Sequence, residues 1–85
     1  MFYVARVRRL FPDWATEVSR LALRSPKFRA LCEDHGIAVE TLHYLQTHNR
    51  PQDVEKVHEY RSVIQELEKE LKYELLAARS HDDLP

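Results

Sequence analysis

The sequence predicts an all-α fold, an antiparallel helix-loop-helix of coiled-coil-like character preceded by a short N-terminal helix. Three observations carry that expectation. One glycine in 85 residues is too few for hairpin-rich β folds or phosphate-cradling loops, which need glycine where φ is positive or backbone meets phosphate. Apolar side chains recur at alternating spacings of three and four on both sides of one polar stretch. Pro12, Pro26 and Pro51 fall only where a helix would begin or the chain would turn. A composition 44% hydrophobic and 32% charged suits one soluble domain, spanning residues 12–80.

Residues 1–11 read as a short apolar and basic arm. Their longest uncharged stretch is too short for a secretion signal or a membrane span. Pro12 and Asp13 then open a helix over 12–24, because proline loses no hydrogen bond at a first turn and aspartate suits the positive end of the dipole. Its apolar face is Trp14, Val18 and Leu21. Ser25 is placed to cap a second helix over 25–47, with Pro26 at its first position. Phe28, Leu31, His35, Ala38, Leu42 and Leu45 form the seam of that helix. The seam keeps its phase through Gly36, so the helix is expected to run unbroken at a cost of about 1 kcal/mol for an interior glycine.

The polar stretch at 48–52 is the main loop. A third helix follows over 52–79, with Val57, Tyr60, Ile64, Leu67 and Leu71 in its seam, and residues 81–85 read as a frayed tail. A short loop between two such helices favours antiparallel packing, and pairing Leu45 with Val57 sets the register. Ala38 then meets Ile64, His35 meets Leu67, and Leu31 meets Leu71.

Two helices bury little, and several apolar residues lie off both seams. Ile37 and Tyr44 line the outer side of the helix over 25–47, Tyr73 and Leu76 lie off the seam of the helix over 52–79, and Trp14 has no obvious cover. Either the N-terminal segment folds back over them or two molecules associate. Association is favoured, since one short segment cannot cover sites spread along both helices. The interaction surface expected from sequence is therefore Trp14, Ile37, Tyr44, Tyr73 and Leu76, with the protein itself (as a homodimer) or another protein as partner.

The run Phe28, Leu31, His35, Ala38, Leu42, Leu45, preceded by Phe11-Pro12 and followed by a polar loop and a charged leucine-rich helix, resembles the YdcH-like family of small bacterial helical hairpins. The resemblance covers roughly residues 11–78. It implies a helix-loop-helix of uncharacterised function, and it supplies no activity.

Glu40-Thr41-Leu42-His43 and Glu55-Lys56-Val57-His58 are two Glu-x-x-His motifs, the pattern of di-metal bundles, whose ligands must project inward. With Leu42 and Val57 on the seams, Glu40, His43, Glu55 and His58 point away from the partner helix, so no metal or other cofactor is expected, and a metal-binding helical bundle built on these four residues is the alternative. His35 lies in the seam as a core polar residue, read as a hydrogen-bonded structural histidine, with a pH-sensitive role as the alternative. Cys32 sits beside the seam, partly covered, without a basic neighbour at helical spacing, and reads as an inert thiol. A lone cysteine and no export signal point to the cytoplasm.

The net charge of −1 hides an asymmetry, for residues 1–29 carry seven basic and two acidic side chains. Arg6, Arg8 and Arg9 interleave with Phe2, Tyr3 and Phe11, so nucleic acid or an anionic surface is the alternative partner. The simpler expectation is internal neutralisation, with Arg24 or Lys27 pairing with Glu74. No nucleophile and base stand at a spacing for catalysis, so neither an enzyme nor a small-molecule substrate is expected.

Overall fold

The computed structural model describes residues 2–82, which are helical almost throughout and include no strand. Four α-helices follow one another among them: α1 (Phe2–Leu10), α2 (Ala15–Arg24), α3 (Pro26–His48) and α4 (Val54–Asp82). Single 3-10 turns at Pro12–Trp14 and Pro51–Asp53 join α1 to α2 and α3 to α4. Each begins with the proline that marks it in the sequence.

The first eleven residues correct the expectation of an arm. Val4, Val7 and Phe11 are spaced three and four apart, which places them on one side of a helix, and Val4 and Val7 are buried. The N-terminal segment does fold back, so association is not needed to cover this part of the molecule. The helix expected from residue 12 is a 3-10 turn up to Trp14 and an α-helix only from Ala15. At the other end, α4 runs to Asp82 where fraying was expected from 81; residues 83–85 lie outside the described residues.

The corner between α2 and α3 is built as its residues dictate. Ser25 ends α2, its N–H donating to Leu21 O at 2.8 Å, and caps α3, its Oγ accepting from Phe28 N at 3.1 Å. Such a cap is worth about 1 kcal/mol. Arg29 reaches back across the bend to donate to Ala22 O at 2.8 Å. At its far end α3 stops on Asn49, which takes the left-handed conformation at φ 50° while its N–H donates to Leu45 O. Asparagine is the residue other than glycine that tolerates that conformation best.

Residues early in α3 meet residues late in α4. Lys27 Nζ lies 2.8 Å from Glu74 Oε1, and His35 Nε2 lies 2.9 Å from Glu68 Oε2. Each contact falls within one residue of the partner that the heptads assign. Gly36 does not break α3.

The core is concentrated at one end of a molecule 55 Å long and about 20 Å across. There α1 and α2 pack against the first half of α3 and the last half of α4. Val7, Val18, Phe28, Cys32, Leu71 and Leu75 are essentially sealed from solvent. Towards the α3–α4 turn only Ala38, Leu45 and Asp53 are buried, and the seam residues Leu42, Val57, Tyr60 and Ile64 stay half-exposed. The protein thus has a four-helix head and a two-helix stalk.

Candidate association surface

Beneath α1 lies the polar centre of the head. His35 is buried, as its seam position requires, and its Nε2 is bonded to Glu68. A carboxylate oxygen only accepts, so Nε2 donates and Nδ1 is left as a buried nitrogen with no partner among the described residues. Glu68 is the acidic residue that α4 brings to this layer.

Next to His35, Gly36 is covered by the ring of Tyr3, and a Cβ built at position 36 would collide with that ring. The glycine is there because α1 approaches too closely for any side chain. From the sequence it read only as a weak point in a helix. The signal that could have revealed its role is the spacing of Val4, Val7 and Phe11, which makes the supposed arm an amphipathic helix in need of a groove. Tyr3 Oη lies 3.4 Å from Glu40 Oε2. Burial, followed by the nearby negative charge of Glu40, pushes the Tyr3 phenol above its ordinary value.

Cys32 is fully buried rather than partly covered, because it is part of the cluster that receives α1. Burial pushes its thiol up to about 11, with the charge of Glu33 adding to the shift. It is an unreactive packing residue.

Of the five residues expected to form an interaction surface, four stand open. Ile37 is 53% exposed, Tyr44 52%, Tyr73 69% and Leu76 45%. Ile37 and Tyr44, two turns apart on α3, flank Thr41, whose hydroxyl donates to Ile37 O at 2.8 Å. That bond satisfies the Thr41 hydroxyl, while Glu40 stands exposed beside it. Tyr44 also stacks on His48, with centroids 4.0 Å apart. Tyr73 and Leu76 stand three apart on α4. Trp14 is the exception and is corrected here: it is half-buried against the core, with the Arg79 guanidinium 5.1 Å from its ring centroid. Its ring packs on the head's core and is less exposed than the other four.

Glu40, His43, Glu55 and His58 are each exposed and are not brought together. Among the described residues no three His, Cys, Asp or Glu side chains are grouped to hold a metal ion. The basic N-terminal third is partly neutralised from within. Lys27 takes Glu74, which by hydrogen bonding and charge raises the Lys27 ammonium above its ordinary value. Arg29 takes the α2 carbonyl, and Arg79 at the far end of the chain takes Trp14. Arg8 and Arg9 remain exposed beside Pro12.

Sequence reasoning also passed over Asp53 as more than a helix start. It is buried in the turn, its Oδ2 accepting from Arg50 Nε at 2.7 Å, and so fixes the approach to α4. Among the described residues no helix is long and apolar enough to cross a membrane. Compared with known proteins, the chain matches no family model, no curated protein and no solved structure.

Proposed function

We propose that this protein is a non-enzymatic cytoplasmic association element. In this reading it is an antiparallel helix-loop-helix of the YdcH-like kind, with a short N-terminal helix, that joins a second copy of itself or another protein through apolar side chains left outside its core. The observation that carries the proposal is the exposure of Ile37, Tyr44, Tyr73 and Leu76 after α1 has folded back and filled the head. Aromatic residues with apolar neighbours on an outer face are what association surfaces use. Among the described residues the buried polar side chains are His35 and Asp53, which are engaged by Glu68 and Arg50. Those partners support a structural reading of both residues.

Light scattering across a wide concentration range is the test. The wild type is expected to gain mass with concentration, and the double variant Ile37→Glu, Tyr44→Glu is expected to stay monomeric with its helicity intact. A wild type that is monomeric throughout, and that captures no protein through these residues, overturns the proposal.

A further inference from the structure

One side of α4 carries Val54, His58, Arg61, Gln65, Glu68 and Lys72 at spacings of four and three, which is a single stripe along the helix. The C-terminal half of that stripe lines a hollow closed by Leu10 and Phe11, at the end of α1. Its N-terminal half lines a second hollow, opposite Leu45 and Asn49 at the end of α3. The side of the α3–α4 pair that the chain covers at the head is therefore left open along the stalk. The open stretch spans about ten residues of α4, or roughly 15 Å at 1.5 Å per residue, room for about three turns of helix.

This distal groove has a distinct chemistry. Leu45 and the half-buried Val57 form its floor, and Val54 stands 54% exposed at its edge. Its rim carries the guanidinium of Arg61, the imidazole of His58, and Arg50, which is paired with Asp53. No acidic side chain lines the hollow, and neither Arg61 nor His58 has an intramolecular hydrogen bond or ion pair among the described residues. An apolar floor beside the unpaired guanidinium of Arg61 calls for an occupant with an apolar stripe flanked by carboxylates. The chain's own way of filling the neighbouring groove is a helix, and an all-helical surface offers no strand edge for an extended peptide. A second copy of α1 does not qualify, because its charges are Arg6, Arg8 and Arg9.

We propose that the groove between α3 and α4 near the Asn49 turn binds an acidic amphipathic helix of another protein. The surface is separate from Ile37 and Tyr44, so it stands or falls independently of self-association. The probe is a labelled 14-residue peptide with leucines at helical spacing and glutamates elsewhere, titrated against the full chain by fluorescence anisotropy. A peptide with lysines in place of the glutamates and a single-stranded oligonucleotide serve as comparisons. The acidic peptide is expected to bind, to weaken at least tenfold with Arg61→Gln or Val54→Asp, and to weaken as salt rises; the lysine peptide is expected not to bind. Both substitutions are at exposed sites, and circular dichroism confirms that each variant is folded. The proposal is overturned if the acidic peptide does not bind, if Ile37→Glu abolishes its binding while Arg61→Gln leaves it unchanged, or if the oligonucleotide binds more tightly than the peptide.

Discussion

The ring of Tyr3 occupies the space in which a side chain at Gly36 would begin. Helix propensity and packing therefore make opposite demands at position 36. Propensity favours alanine by about 1 kcal/mol. The contact forbids it unless α1 withdraws, and overpacking of this kind costs about 1–3 kcal/mol.

Gly36→Ala is thus expected to destabilise the wild type and to stabilise a Tyr3→Ala background. Chemical denaturation of the four proteins in the cycle measures both signs. A Gly36→Ala variant that is more stable than the wild type would show that α1 does not hold its place on α3.

The bond between His35 and Glu68 makes a second contrast. Replacing Glu68 by leucine leaves a buried imidazole with neither nitrogen engaged, which is expected to cost about 1–3 kcal/mol. Adding His35→Leu removes the stranded polar group and is expected to restore most of that loss. If the double variant is no more stable than Glu68→Leu alone, the bond carries no such weight.

Cys32 ties chemistry to packing. Its thiol is raised to about 11 in the fold, against about 8.5–9 when exposed, so the folded state holds its proton at pH values where the unfolded chain has released it. The native state then binds more protons than the unfolded state, and stability from this group is full below pH 9 and declines up to about pH 11, by an amount on the order of 3 kcal/mol. The decline is expected to be shallower in Cys32→Ala. Thiol reagents at pH 8 are expected to react slowly with the native protein and quickly with Val7→Glu, in which α1 is displaced.

Asn49 sets the turn. Its left-handed backbone costs a β-branched residue roughly 1–2 kcal/mol, while glycine adopts it freely. Thermal melts are expected to place Asn49→Val well below the wild type and Asn49→Gly close to it.

The long helices were legible because their register follows from seam spacing alone. Ser25 and Pro26 announce their corner, and Lys27 finds Glu74 where the paired heptads put it. What escaped was whatever depends on a third element crossing the pair. The three arginines of α1 hide a helix that is anchored by Val4, Val7 and Tyr3. Trp14 looked uncovered for the same reason, since its cover, Arg79, is 65 residues away in the chain. Ile37, Tyr44, Tyr73 and Leu76 stand exposed, as their phase off the seams implies.

The head and the stalk also differ in how they come apart. Each turn of helix in the head is braced by neighbours on two or three sides, whereas the stalk has one partner helix and water. Opening can start at Asn49 and travel inward turn by turn without disturbing Phe28 or Leu71, so amide hydrogen exchange should show a graded zipper instead of one cooperative block. A ligand laid along the distal groove would clamp that zipper shut. Protection gained there on binding, with none gained around Phe28, would identify the stalk as the part of the molecule that responds.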